Sequence, residues 1–326
     1  MNRVRVRWVR WTLVRAMCGA FAITAASSTT VAAQAAPERA VLVTGASSGI
    51  GRAITEKLAG EGFHVYAGAR SPADLAALNA IRNVEAVRLD VTSATDIAAA
   101  VATVQRGGRG LYGVVNNAGV VVVGPLIELE DTELDYILGV NLYGPFRITR
   151  AFAPLLIAAK GRVVNISSLN GQVASPMIGA YSMSKHAIEA YSDGLAAELA
   201  PLGVRVSAIE PGNYGTDIGR NMLARIDTTK FKGSRFEAQY RRTVTSMANF
   251  AQNPPPADVA DAVAEALTAA NPRPRYLVVP AENQAQIMLR TVMDHLVQMN
   301  ESQRFKYDRD QLVRMLDSAI ARQSRR

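Results

Sequence analysis

Seven short apolar runs recur along the chain from Arg39 onward. They are AVLVT (40–44), HVYAGA (64–69), EAVRL (85–89), YGVVN (112–116), RVVNIS (162–167), VRVSAI (204–209) and RYLVV (275–279). Each is rich in valine and nearly continuous in apolar residues, the pattern of a strand covered on both faces rather than one with a wet side. Between them lie segments of helical length; one, residues 50–59, stops at Gly60 and Gly62, the residue type that most readily ends a helix. Strand and helix alternate over roughly 240 residues, which predicts an α/β fold: a doubly wound parallel sheet of the Rossmann kind, about seven strands, binding ligands beyond the strands' carboxyl ends.

Two stretches break the alternation. Residues 213–254 show no strand pattern and mix Met222, Leu223, Phe231, Phe236, Tyr240, Met247 and Phe250 with polar residues. They read as a substrate loop whose apolar side chains either line a pocket or pack on one another. Past Pro280 come two helical patterns with Leu289, Met293 and Leu296, then Leu312, Met315, Leu316 and Ala319, on their apolar faces. This C-terminal helical extension, 286–326, packs on the body or on a second subunit. A membrane-surface role would rest on Arg322, Arg325 and Arg326 alone, a weak patch.

The net charge of +8 suggests nucleic acid until its location is checked. Arg3, Arg5, Arg7, Arg10 and Arg15 lie in a segment without acids, and the balance without them is +3. No basic cluster interleaved with aromatics replaces them, so nucleic acid is not an expected partner. The single cysteine, Cys18, excludes a disulfide framework, and His64, His186 and His295 are scattered without metal-ligand spacing. Residues 1–35 have the form of an exported leader: arginines first, then a moderately apolar stretch of small residues, then Ala33-Gln34-Ala35 as a cleavage site. The alternative is a cytoplasmic protein with a mis-assigned start, for which Met17 offers another first residue. The strand–helix body would then span 36–285.

The first strand–helix junction indicates the ligand. In Thr44-Gly45-Ala46-Ser47-Ser48-Gly49-Ile50-Gly51 three glycines stand where a strand turns into a helix. Backbone N–H groups and the positive end of the helix can there approach a pyrophosphate without a Cβ in the way. At the end of the second strand, where an acid would bind the adenosine ribose of NAD, the chain has Ala69 and then Arg70. Arg70 either pairs with the 2′-phosphate of NADP or is a solvated surface arginine; NAD stays as the alternative cofactor. Asp90 either reaches the adenine or caps the helix beginning near Thr92.

A second constellation supplies acid–base chemistry. Ser168 lies thirteen residues before Tyr181, and Lys185 follows Tyr181 by four within a segment of helical period that includes Ile188, Tyr191, Leu195 and Leu199. Positions four apart share a helix face, so phenol and ammonium point into one space, and a cation beside a phenol favours the phenolate. The same spacing also occurs in purely structural helices.

Taken together, the chain resembles the short-chain dehydrogenase/reductase family, single-domain type, and within it the steroid- and retinol-dehydrogenase branch. The resemblance rests on Thr44–Gly51, Asn116-Asn117-Ala118-Gly119, Asn141, Ser168, Tyr181 with Lys185, and Pro211-Gly212 followed by Thr216, in family order across residues 39 to 285. It implies an NAD(P)-dependent oxidoreductase of alcohols and carbonyls, with Tyr181 as general acid/base. Lys185 would lower the phenol's pKa and bind the nicotinamide ribose, and Ser168 would hydrogen-bond the substrate oxygen, with Ser167 facing the other way. Asn141 would kink its helix and hold a water that links Lys185 to solvent. Asn117 and Gly119 would lie under the adenosine ribose, unless Asn117 only braces the sheet. Gly45, Ser47, Ser48, Gly49, Ile50 and Gly51 would hold the pyrophosphate. Pro211, Gly212 and Thr216 with the backbone near Tyr214 would hold the carboxamide. A homodimer or homotetramer formed through the helices carrying residues 141–152 and 181–200 would be expected. The rival reading is a catalytically silent cofactor-binding sensor or scaffold. Against the family pattern stand the leader, which would take an NADP enzyme away from its cofactor supply, and the C-terminal extension.

Overall fold

The computed structural model describes residues 39–227 and 229–323; the leader with Cys18 and its cleavage site, and Arg325 and Arg326, lie outside them. Seven parallel strands form one sheet: β1 Ala40–Val43, β2 His64–Ala69, β3 Val84–Arg88, β4 Gly113–Asn116, β5 Arg162–Ile166, β6 Arg205–Pro211 and β7 Arg275–Val278. Their order is β3-β2-β1-β4-β5-β6-β7. The chain winds outward from β1 to β3, then crosses back to place β4 on the other side of β1. That reversal opens a crevice between the carboxyl ends of β1 and β4, the position at which sheets of this kind take ligands.

The helices are α1 Gly49–Gly60, α2 Pro72–Asn79, α3 Ala94–Arg106, α4 Asp131–Asn141, α5 Tyr143–Ala158, α6 Gly179–Leu199, α7 Ile218–Leu223, α8 Glu237–Ala248, α9 Ala257–Thr268, α10 Glu282–Ser302 and α11 Arg309–Gln323. The continuous apolar strands are explained by two cores, one on each face. Val41 and Val43 of β1 point to the side where Ile54 and Leu58 of α1 and Val259, Val263 and Leu267 of α9 pack. Ala40 and Leu42 point to the opposite side, against Ile97 and Val104 of α3 and Ile148, Phe152 and Leu156 of α5. Alternate residues of one strand thus enter different cores, which is why β1 has no polar position.

Two expectations change. Residues 213–254 are not a plain loop, since α7 and α8 run through them. Met222, Phe231, Tyr240 and Met247 form their own buried cluster with Val121, Val123 and Met177, so most of the apolar residues there hold the segment together. The C-terminal helices begin earlier than expected, at Glu282, and many of their apolar side chains stay exposed, among them Met293, Leu296, Met315 and Leu316. No helix among the described residues is long and apolar enough to cross a membrane.

A buried polar chain ties the sheet to α5 and α6. Asn116 Nδ2 donates to Thr149 Oγ1 at 3.0 Å and to Asn165 Oδ1 at 2.8 Å, and Asn165 Nδ2 donates to Ser192 Oγ at 2.9 Å. Asn165 is fully buried, so truncating it takes one hydrogen-bond partner from the amide of Asn116 and one from the hydroxyl of Ser192, with no water to replace it. Asn165→Ala is expected to lower stability by about 2–3 kcal/mol in urea unfolding, with little change in the slope of the transition.

Candidate active site

The first strand–helix turn is shaped by close approach. Gly45 and Gly49 adopt positive φ of 64° and 54°, a region other residues enter only with strain. A Cβ on Gly51 would lie 2.1 Å from the carbonyl oxygen of Gly45 and 2.4 Å from Nδ2 of Asn117. The turn is pinned from β4. Asn117 Nδ2 donates to the carbonyls of Thr44 and Gly45 at 2.9 and 3.0 Å, and the N–H groups of Asn117 and Ala118 both donate to Thr44 Oγ1 at 3.0 Å. Asn117 therefore braces the turn as well as lining the crevice. No side chain caps the N-terminus of α1, and its first turn carries no acid, so its N–H groups face the crevice uncapped.

That crevice is a cavity of about 520 Å³. Its wall contains Gly45, Ser47, Ser48, Gly49, Ile50, Gly51, Arg70, Asp90, Asn117, Gly119, Ser168, Tyr181, Lys185, Pro211, Gly212 and Thr216. The glycine turn, the side chains after β2 and β3, and the Ser168–Tyr181–Lys185 group, far apart in the sequence, are brought together in it. Asn141 stands outside the wall, 1% exposed, where it ends α4. Its Oδ1 accepts from Val120 N–H at 2.8 Å, and its Nδ2 donates to the Val120 carbonyl at 2.9 Å and to Ser184 Oγ at 3.0 Å. The chain breaks at Leu142 before α5 starts; the expected kink is an interruption, with the Asn141 amide serving the backbone beside Gly119.

Tyr181 and Lys185 lie one turn apart on α6. Burial pushes the Tyr181 phenol above its usual pKa, and the neighbouring Ser168 side chain pulls it down. Lys185 Nζ donates to the Ile166 carbonyl at 2.8 Å and stands 5.6 Å from the Tyr181 ring centroid. The ammonium is 5% exposed. Burial lowers its pKa to about 8, and the charge of Glu189 works the other way.

Several expectations change at this level. The helix after β3 starts at Ala94 and is capped by Ser93, whose Oγ accepts from Asp96 N–H. Asp90 instead closes a tight turn, accepting from both N–H and Oγ1 of Thr92, and its carboxyl lies 3.9 Å from Arg70. Partial burial opposes its charge, but Thr92 and the nearby Arg70 and Arg88 outweigh burial and hold it below the usual carboxylate range. β5 ends at Ile166; Ser168 lines the cavity, while the Ser167 hydroxyl is buried, 2.7 Å from where a Cβ on Gly171 would stand. Of the seven apolar residues singled out in 213–254, Met247 and Phe250 reach the cavity wall. Gln284 of α10 went unnoticed in the sequence: its Oε1 accepts from Asn213 N–H at 2.8 Å beside Gly212.

The buried lysine gives a pH dependence. Below about pH 8 Lys185 is charged in both folded and unfolded chains, and the penalty of burying the charge is fully present. As pH rises from there toward 10.5, the folded state releases the proton while the unfolded state keeps it, so stability increases. Denaturant unfolding between about pH 8 and pH 10 should show a gain of about 2 kcal/mol in the wild type relative to Lys185→Met; parallel curves would show that Lys185 does not titrate there.

The description of the short chain dehydrogenase family matches residues 39–227. A rat protein, "D-beta-hydroxybutyrate dehydrogenase, mitochondrial", is 40% identical over 195 residues, 56% of this chain and 56% of its own length; the match thus spans little more than half of that relative. Mouse "Retinol dehydrogenase 5" is 35% identical over 253 residues, 72% of this chain and 79% of its own. A crystal structure of a metagenomic short-chain oxidoreductase in complex with NADP has 31% identity and a TM-score of 0.58, covering 74% of this chain and 97% of that one. With the parallel sheet, the glycine turn and the single crevice wall in agreement with these likenesses, the chain belongs to the short-chain dehydrogenase family.

Proposed function

We propose that this protein is an NADP-dependent oxidoreductase that interconverts a secondary or lipophilic alcohol and its carbonyl, with Tyr181 as the proton-transferring group. One observation carries the reading: Ser168, Tyr181 and Lys185 line the same cavity as the glycine turn. The residues present fit a nicotinamide dinucleotide. An uncapped helix end suits the pyrophosphate, a glycine-only approach at Gly51 keeps the turn close, and a buried cation stands behind the phenol. Bound there, the cofactor supplies the hydride acceptor or donor.

The chain's own groups do the rest. In reduction, Tyr181 gives its proton to the carbonyl oxygen; in oxidation it takes the alcohol's proton and later returns it to solvent. A phenol raised by burial is a proton donor at neutral pH, the form that reduction requires. Ser168 shares its hydroxyl between Tyr181 and the substrate oxygen, stabilising the charge that develops there. Lys185 binds ribose hydroxyls and lends positive charge to Tyr181. Asn141 keeps the backbone at Val120 in place and holds water on the way from Lys185 to solvent. Thr216, Pro211 and Gly212 hold the carboxamide end, Asn117 and Gly119 lie under the adenosine ribose, and Asp90 contacts the adenine edge. Arg70, on the rim with its side chain 71% exposed, pairs with the 2′-phosphate and sets the preference for NADP over NAD.

For the substrate, Ile178, Ile218, Met247 and Phe250 supply apolar wall. Among the described lining residues the basic ones are Arg70 and Lys185, both assigned to the cofactor. A hydroxy acid such as hydroxybutyrate would leave its carboxylate without a cation, so a neutral alcohol, as in the retinol dehydrogenases, is favoured. Exposed Tyr143, Phe146 and Met183 on α5 and α6 support assembly as a homodimer or homotetramer, and the leader supports export or membrane association.

Tyr181→Phe is expected to reduce ketone-dependent NADPH oxidation at least about a thousandfold while NADPH binding, followed by protein fluorescence, stays close to wild type. Retained turnover would remove Tyr181 from the proton-transfer role. Arg70→Asp should reverse the preference between NADPH and NADH in the same binding titration; an unchanged ratio would show that the 2′-phosphate is read by another group.

A further inference from the structure

Asn170 stands in the short turn after Ser168, on the wall of the cavity, and the chemistry described above gives it no task. Its backbone N–H donates to Ser168 Oγ at 3.1 Å. The side chain is therefore rooted beside the hydroxyl assigned to the substrate oxygen. Its Nδ2 reaches three acceptors: Ser182 Oγ at 3.1 Å, the Val173 carbonyl at 3.3 Å and Ser175 Oγ at 3.4 Å.

Those partners decide which end of the amide faces them. The Val173 carbonyl can only accept. Ser182 has no proton to give, because its hydroxyl donates to the Ile178 carbonyl at 3.2 Å, and its oxygen also receives the Ser175 N–H at 3.5 Å. Nitrogen must face this side, and Oδ1 the other. No described residue donates to Oδ1, yet it is not among the buried atoms left without a partner. An accessible acceptor on a residue of the cavity wall meets what the cavity holds.

The amide also limits what it can take. A carboxylate or phosphate has no proton to offer it, and an ammonium would lose its hydration to a neutral oxygen; a hydroxyl pairs with it at little cost. Ser175, Ile178, Tyr181, Met247 and Phe250 share the wall with Asn170, so the donor must belong to an otherwise uncharged, partly apolar molecule. The amide is held by its nitrogen before any ligand arrives, and little ordering remains to oppose binding.

We propose that Asn170 is a specificity-determining residue: its Oδ1 accepts a hydrogen bond from a second hydroxyl of the substrate, close to the reacting carbon. The substrate class is then hydroxy ketones and the corresponding diols. The proposal rests on the alcohol–carbonyl reading given above and narrows its neutral substrate. A compound of the same shape without the donor displaces water from Oδ1 and leaves it unpaired, which is how such a site discriminates.

The test uses the full chain with NADPH and three ketones: α-hydroxyacetophenone, α-methoxyacetophenone and acetophenone. The first two carry the same oxygen, but only the hydroxyl can donate; acetophenone controls for the size of the methoxy group. Wild type should prefer the hydroxy over the methoxy ketone by about tenfold or more in kcat/KM. In Asn170→Ala that ratio should fall to about one. Because the ratio is taken within one enzyme, a general loss of activity from disturbing Ser168 or Tyr181 cancels. If Asn170→Ala does not fold, Asn170→Leu, of similar volume and without the acceptor, takes its place with the same expectation. No preference in wild type, or a preference that survives the loss of the amide, would overturn the proposal. Absence of NADPH oxidation with all three ketones would count against the oxidoreductase reading instead. Calorimetric titration of the same ketones into the complex with oxidised NADP, where no ketone can be reduced, then judges Asn170 by the same ratio in Kd.

Discussion

Where β1 and β4 run side by side, the chain leaves the sheet toward opposite faces, and the clamp between Thr44 and Asn117 holds that divergence open. One hydroxyl accepts two N–H groups from β4's end, and one amide donates to two carbonyls of the glycine turn. Everything in the crevice is referenced to this joint. The N-terminus of α1 faces the cavity because Gly51 lets the turn fold onto the Gly45 carbonyl. Asn117 is close enough to brace it for the same reason. A side chain at residue 51 would separate strand, helix and brace together, so the geometry of the turn and that of the cavity are one constraint.

The end of the cavity that holds Tyr181 and Lys185 is governed by buried charge. Tyr181 and Lys185 share a face of α6, yet burial acts on them in opposite directions on the pKa scale, raising the phenol and lowering the ammonium. Both shifts favour the neutral form. A site with this bias holds its proton on the phenol and is poised for donation; taking a proton from an alcohol requires additional positive charge near Tyr181, which an oxidised nicotinamide ring would bring. The charge of Glu189 works against the same bias at Lys185.

The fold was legible because the strands are covered on both faces. Valine-rich runs separated by helix-length segments have few other solutions, and predicted strand limits differ from the observed ones by at most two residues at either end. The glycine turn and the Tyr181–Lys185 pair were legible for a similar reason, since each is local and period or spacing is enough. What escaped depends on tertiary contact. Asp90 and Ser93 compete for one capping role, and only the start of α3 decides between them. α8 carries a usable signal, Tyr240, Val244 and Met247 at helical spacing, but a sparse one in a polar segment, so its residues read as possible pocket wall. Glu189 and Glu210 are ordinary acids in sequence until β6 and α6 bring them together.

The C-terminal extension illustrates how far a segment outside the core alternation can reach into the site. The turn after β6 must place Gly212 and Thr216 at the cavity wall, and β6 itself ends at Pro211. Thr216 approaches so closely that a Cβ on Gly49 would lie 3.1 Å from its own Cβ, so a small displacement of that turn is felt at the glycine loop. The turn is held on one side by Gly215 N–H on the Pro254 carbonyl and on the other by Asn213 N–H on Gln284. Gln284 belongs to the first turn of α10, and its Oε1 occupies the space a side chain at residue 212 would need, 2.3 Å from the position of such a Cβ. Gly212 is thus glycine because a helix beyond the last strand packs a side chain there. The first turn of α10 thus braces, from outside the wall, the turn that carries Gly212.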